Sequence, residues 1–384
     1  MRKPLLASTA SALLILLGLA GCNGDGDPAD GDPGQADASA SASPDASTSA
    51  TPDATVLLPD ASTATVNVAG KHTHSLNLGG PPREFIVYVP ALAVGRSAPV
   101  VFMFHGTSGD GEKFFNISGW REKADAEGLI AVFPSALTYC LHEDENGDGD
   151  FDDAGEDKLT TKWAHGELGT ATMPLCTPAE LAMLTPANRA LADHPLQDDV
   201  AFVRAMLDVL ARDHVTDARR IYASGFSNGA GLTSRLVVDM ADRFAAIHAG
   251  SGTLQVTPTP ALRAIPVTIS VGELDDRFLT ALGLTALPLT STLMTDVPAI
   301  KLRAVSPMLT TLGLADSARY DERTIAGEKV VRFTYDQRAS GGAASNLLNF
   351  IVIEDLYHQY PNGSNHPLVA ADLLWDFFRQ YQLP

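Results

Sequence analysis

RRIYASGFSNGAGLTSRLVVDMA, residues 219–241, is the stretch that decides the fold. It opens on a short apolar run, Ile221 to Ala223, and passes into Gly225-Phe226-Ser227-Asn228-Gly229. A helix-compatible segment follows, with Leu232, Leu236 and Val237 recurring at i, i+4 and i+5. A strand, a glycine-flanked serine and then a helix make a turn too tight for side chains beside the serine. That turn leaves the serine Oγ exposed at the strand tip. The next amide, of Asn228, then lies at a helix N-terminus, where it can donate to an oxyanion. Ser227 is the expected nucleophile.

Outward from the elbow, apolar runs alternate with helical segments. VVFMF (100–104) and LIAVFP (129–134) precede it, and AAIHA (245–249) and VTISV (267–271) follow. Continuous apolar runs of this kind suit strands buried on both faces. Helical stretches lie between them, at Trp120 to Glu127 and after Asp198-Asp199, which are expected to cap a helix whose Val200, Val203, Leu207 and Leu210 share one face. The alternation predicts an α/β fold with a mainly parallel sheet and flanking helices. TATVNV (63–68) and REFIVYV (83–89) read as an opening antiparallel pair, and KVVRFTY (329–335) and LLNFIVI (347–353) as two late strands. Residues 278–320 read as mostly helical, broken by Pro288, Pro298 and Pro307. Leu373, Leu374, Phe377, Phe378 and Tyr381 form the apolar face of a closing helix.

A serine elbow needs a base and a group to orient it, in the chain order Ser, Asp or Glu, His for α/β-hydrolases. VTISV runs into Gly272-Glu273-Leu274-Asp275-Asp276, and LLNFIVIEDLY runs into His358. Asp275 is the expected acid, with Asp276 as its rival, and His358 the expected base, with His366 as its rival. His366 reads as a surface-loop residue, His248 and His105 as structural. His105-Gly106 follows the VVFMF strand, so the amides of Thr107 and Asn228 would form the oxyanion hole.

The motifs resemble those of the polyhydroxybutyrate depolymerase and feruloyl esterase group of α/β-hydrolases. The resemblance rests on the HG after VVFMF, on SGW (118–120), on DDVAF (198–202) and on the elbow itself. FAAI (244–247) and His358-x-x-Pro361-x-Gly363 extend it, and it covers roughly residues 83–380. It implies a single α/β-hydrolase domain whose triad is Ser227, Asp275 and His358. The implied activity is hydrolysis of hydroxycinnamoyl, acetyl or polyester ester bonds, with no cofactor needed for catalysis. The chain departs where the group often has H-x-W-P-G, the 140–176 excursion looks like an insertion, and no separate polymer-binding region is visible. A serine peptidase of the same fold, or a non-catalytic calcium-stabilised surface-binding lipoprotein, are the alternative functions.

The net charge of −19 is concentrated in two places. Residues 23–60 carry eight Asp and residues 143–157 nine Asp or Glu, both without Lys or Arg, which leaves about −2 for the rest. No basic stripe suggests a nucleic-acid partner. Met1-Arg2-Lys3 and the apolar Leu5–Leu19 read as a secretory signal, ended by Leu19-Ala20-Gly21-Cys22, which resembles a bacterial lipobox. The expectation is cleavage before Cys22, lipidation of its sulfur and a membrane-anchored, exported protein. Residues 23–62 are Asp, Ala, Ser, Thr, Pro and Gly with little to bury, as in a disordered tether, and the catalytic domain runs 63–384. Cys140 and Cys176 remain as an even pair expected to be bridged. Between them Asp144, Asn146, Asp148, Asp150 and Asp152, with Gly149 at the turn, match the first nine positions of an EF-hand-like calcium loop. Position 12 is Gly155 rather than Glu, and no flanking helix pair is evident. A calcium bound there would be structural.

Overall fold

The computed structural model describes residues 66–144, 157–280 and 282–384. The lipobox cysteine, the acidic tether and four of the five calcium-loop positions (Asn146, Asp148, Asp150, Asp152) therefore lie outside the described residues.

Among the described residues twelve strands follow in chain order: β1 Gly70–Leu76, β2 Arg83–Val89, β3 Ala98–Phe104, β4 Ile130–Pro134, β5 Thr138–His142 and β6 Asp157–Thr161. After them come β7 Thr216–Phe226, β8 Ala246–Gly250, β9 Val267–Gly272, β10 Ala318–Ile325, β11 Glu328–Gln337 and β12 Ala343–Ile353. Ten form one sheet in the order β1-β2-β4-β3-β7-β8-β9-β12-β11-β10. The six central strands, β4 to β12 in that order, run parallel, and β1-β2 and β11-β10 add antiparallel ends. β3 and β4 are buried along their whole length, the pattern of strands covered on both faces. One face packs on the helices Asp199–Asp213 and Asn228–Asp239, through Val203, Leu207, Leu232 and Leu236. The other packs on Trp120–Glu127 and the closing helix Ala370–Phe378, through Trp120, Leu374 and Phe378. In the closing helix Trp375 is buried as well, while Leu373, Phe377 and Tyr381 are partly covered.

Three expectations need correction. The opening strand is GKHTHSL; of TATVNV, residues 63–65 lie outside the described residues, and Val66, Asn67 and Val68 belong to no strand, with both valines exposed. Asn67 explains the shift: its side-chain amide donates to the carbonyls of Ala93, Arg96 and Val215, and its Oδ1 accepts from Val215 N. These bonds hold the chain off the ladder at that point. The region after β9 is helical in short pieces as expected, but it ends in an extra edge strand, β10. His366 is buried rather than on the surface: Leu368 N donates to its Nδ1, and its Nε2 donates to Glu354 O.

β5 and β6 form a separate antiparallel pair, and the Cys140–Cys176 disulfide closes the base of the 140–176 excursion. Helices Pro178–Met183 and Pro186–Ala192 follow, each capped by a threonine at its N-terminus. No helix among the described residues is long and apolar enough to cross a membrane.

Candidate active site

β7 ends at Phe226, and Ser227 takes a left-handed φ of 54° before the helix Asn228–Asp239 begins. The flanking glycines are required by contact. A Cβ on Gly225 would stand 2.2 Å from Gly229 O, and one on Gly229 would stand 2.4 Å from both Phe104 O and His105 O. Ser227 N donates to Gly250 O at 2.8 Å, which fixes the strained residue to the neighbouring strand β8.

The other two residues arrive from the ends of β9 and β12. Ser227 Oγ lies 2.9 Å from His358 Nε2, and His358 Nδ1 lies 2.8 Å from Asp275 Oδ1. Asp275 is fully buried, and its Oδ1 also accepts from Phe278 N. Its Oδ2 has no partner among the described residues, so the imidazole is the main answer to the buried charge. Asp276 is exposed and starts the next short helix, while both nitrogens of His366 are bonded to backbone groups. Neither rival enters the cluster. The close approach of the loops is again set by a glycine, since a Cβ on Gly272 would meet Leu356 O at 2.0 Å. A hydroxyl so placed can pass its proton to the imidazole, while the carboxylate keeps the second nitrogen protonated and oriented.

Thr107 and Asn228 border the same cleft as Ser227. Among the described residues neither backbone amide has an acceptor, so both remain available to a developing oxyanion. His105 is buried, accepts from Ala136 N through Nε2 and donates through Nδ1 to Gly106 O. Burial pushes it down to about 4, so it is a neutral brace.

Beneath the histidine loop lies a buried polar chain. Trp120 Nε1 donates to Tyr360 Oη at 2.9 Å, and Tyr360 Oη lies 3.3 Å from Ser224 Oγ. Ser224 Oγ lies 3.0 Å from His248 Nδ1, whose Nε2 lies 2.9 Å from Ser270 Oγ. Because the indole can only donate, the series takes one direction, ending with His248 Nε2–H donating to Ser270. Burial pushes His248 down to about 3, which keeps it neutral.

Reasoning from sequence missed the walls of the cleft. Glu143, Lys162, His165 and Glu167 come from the excursion, and Arg277 and Arg303 from the region after β9. Lys162 is buried and donates to Glu143 at 2.9 Å, and Lys158 donates to the same carboxylate. Burial works against ionising Glu143, yet the two lysines bring it down to about 2. Burial, aided by Lys162 and Arg235, pushes His165 down to about 4. The wall is fixed to the core through Asp199. One oxygen of that buried carboxylate pairs with Arg83 and the other accepts from Ala164 N at 2.6 Å. Asp198, not Asp199, caps the helix, accepting from Val200 N and Ala201 N.

No family model matches the chain. Over 364 residues it is 26% identical to NocK of Nocardia uniformis subsp. tsuyamanensis, an esterase by designation, covering 92% of this chain and 89% of that one. Over 197 residues it is 22% identical to the bifunctional acetylxylan esterase/xylanase XynS20E of Neocallimastix patriciarum, covering 51% of this chain and 22% of that protein. Among solved structures, the acetyl xylan esterase from Aspergillus awamori is 13% identical with a TM-score of 0.46, covering 80% of this chain and 99% of that one. That structural likeness is too distant to carry function. The linked serine, histidine and buried aspartate have the geometry of a serine-hydrolase triad. The fold of the chain is the α/β-hydrolase fold, with the parallel sheet carrying the elbow at the end of β7.

Proposed function

We propose that the protein hydrolyses carboxylic esters through an acyl-enzyme, with Ser227 as nucleophile, His358 as base and Asp275 as its orienting acid. The carrying observation is the 2.9 Å and 2.8 Å chain from Ser227 Oγ through His358 to the buried Asp275. Ser227 Oγ attacks the ester carbonyl as its proton passes to His358 Nε2, and the carbonyl oxygen takes the negative charge against the amides of Thr107 and Asn228. Collapse of the tetrahedral intermediate breaks the bond to the alcohol oxygen, which receives the proton from His358. Water, deprotonated by the same nitrogen, then attacks the acyl carbonyl; the bond to Ser227 Oγ breaks, His358 returns the proton to Oγ, and the acid leaves. Asp275 remains ionised and stabilises the imidazolium.

The finer substrate is a feruloyl or acetyl ester of a polysaccharide, or a polyhydroxyalkanoate-type polyester. The esterase names of the sequence relatives support the ester class. Export as a lipoprotein anchored through Cys22, tethered by residues 23–62, belongs to the same proposal, and the Cys140–Cys176 bridge supports an oxidising compartment. A structural calcium on Asp144, Asn146, Asp148, Asp150 and Asp152 would bind between β5 and β6, the hairpin that borders the cleft. The test is a fluorophosphonate label together with a panel of aryl esters, feruloylated and acetylated xylan and polyhydroxybutyrate. Labelling confined to Ser227 and turnover of at least one ester class are expected. A labelled enzyme that cleaves peptide amides and no ester would overturn the reading.

A further inference from the structure

The cleft is charged in a way that ester chemistry alone does not require. Around Ser227 stand Lys158, Lys162, Arg277 and Arg303 against the carboxylates of Glu143 and Glu167. Four cations less two carboxylates leave an excess of two positive charges, in a chain whose net charge is −19. Glu143 is already bonded to both lysines. Burial pushes the Glu167 carboxyl above its usual range, against the pull of Lys162 and Arg303. Neither Arg277 nor Arg303 makes an ion pair or a side-chain hydrogen bond among the described residues. Arg277 stands where the two recesses on either side of Ser227 and His358 meet. His165 borders the first recess, is 5% exposed, and its Nδ1 has no partner among the described residues.

We propose that the cleft selects esters that carry a carboxylate of their own, held by Arg277 and Arg303. This rests on the ester-hydrolase reading and names its substrate class. A guanidinium offers a planar fork that matches a carboxylate with two parallel N–H···O bonds. Without such a positive patch, the acidic stretch 143–157, carried by the hairpin that borders the cleft, would repel an anionic substrate. With one, its local concentration at the serine rises. The carboxylate can belong to the acyl part, as in a half-ester of a dicarboxylic acid. It can equally belong to the alcohol part, as at the free acid end of a hydroxy-acid oligoester.

Two matched pairs distinguish these sources and test the idea. The first compares 4-nitrophenyl hemiglutarate with its methyl diester, and the second the butyryl ester of a hydroxybutyrate with the methyl ester of that compound. The anionic member of at least one pair should show a kcat/KM about 10-fold higher, the scale of one charged hydrogen-bonded contact. Added salt should narrow the gap. Combining Arg277→Gln with Arg303→Gln should close it, the loss residing in KM. The pair that responds identifies the side bearing the carboxylate. Equal or better turnover of the neutral member in both pairs, or a gap that survives in the double variant, would overturn the proposal. An enzyme that cleaves the neutral esters but shows no anionic preference sinks this inference alone. One that cleaves none of the four sinks the ester-hydrolase reading with it.

Discussion

The side chain of Asn228 is bonded at both ends to the backbone of Trp163. Its Oδ1 accepts from Trp163 N at 2.6 Å and its Nδ2 donates to Trp163 O at 3.3 Å. The residue beside the nucleophile thus clasps the excursion to the elbow. Asn228→Ala keeps the backbone amide aimed at the oxyanion but strands the buried Trp163 N–H, at a cost of about 1–3 kcal/mol. A lowered Tm is expected, and a KM that rises more for bulky esters than for small ones. Melting curves and steady-state kinetics on two ester sizes check it.

The two histidines near the C-terminus should separate cleanly. Ser227→Ala and His358→Ala should each lower kcat on a short aryl ester by roughly three or more orders of magnitude, as a triad acts as a unit. His366→Ala should lower Tm, because it strands Leu368 N and Glu354 O, while kcat stays within a few-fold. A His366→Ala enzyme as inactive as His358→Ala would reassign the base.

Tyr360 is a positioning residue for the histidine two places before it. Tyr360→Phe leaves the ring but removes the acceptor of Trp120 Nε1–H. We expect a Tm loss and a kcat about 3- to 10-fold lower at unchanged KM, on the scale of one net hydrogen bond. The double variant with Trp120→Phe should lose little more, because the stranded donor is gone. Additive losses in that cycle would show the two residues to be uncoupled.

Acid should destabilise the fold through its buried histidines. His105 and His165 are held at about 4 and His248 at about 3, all by burial, against 6.5 in the unfolded chain. Depressed values mean that the unfolded state takes up protons first as pH falls. Stability is therefore full above about pH 6.5 and declines as pH drops toward 4. Each such histidine contributes a slope approaching about 1.4 kcal/mol per pH unit. Denaturant titrations from pH 7.5 to 4.5 measure it, and His248→Gln should flatten the slope.

The disulfide joins residues 36 apart in sequence. Chain-entropy reasoning gives such a loop roughly 4 kcal/mol, before any strain. Replacing both cysteines with serine should lower Tm and raise KM for bulky esters, leaving labelling of Ser227 in place. Calcium bound only to the folded loop would add stability by mass action. A melting curve unmoved by chelator, with no calcium heat in titration calorimetry, would remove the ion.

The elbow and its two partners were legible because each sits at the end of an apolar run, where strand, turn and residue type coincide. The walls were not. Glu143, Lys162 and Arg303 are ordinary charged residues far apart in sequence, and only the folding of the excursion and of the segment after β9 brings them to Ser227. Asp198 and Asp199 show the limit at its sharpest, being adjacent and chemically identical. One caps a helix at the surface and the other is buried against Arg83, a distinction set by which way each side chain faces. The first strand was misplaced because the alternation of TATVNV is overridden by the four bonds of one asparagine side chain.

The glycines of the elbow and of the loop after β9 have a consequence for divergent copies of such a chain. Gly225, Gly229 and Gly272 are barred from change by backbone atoms less than 2.5 Å from where a Cβ would sit, not by chemistry at the serine. A descendant that had abandoned catalysis but kept its shape would retain all three, while no backbone contact of that kind would hold the Ser227 hydroxyl or the His358 imidazole against drift. Persistent glycines around an altered serine would therefore mark a retired enzyme serving as a scaffold. Loss of the glycines would mark a different fold.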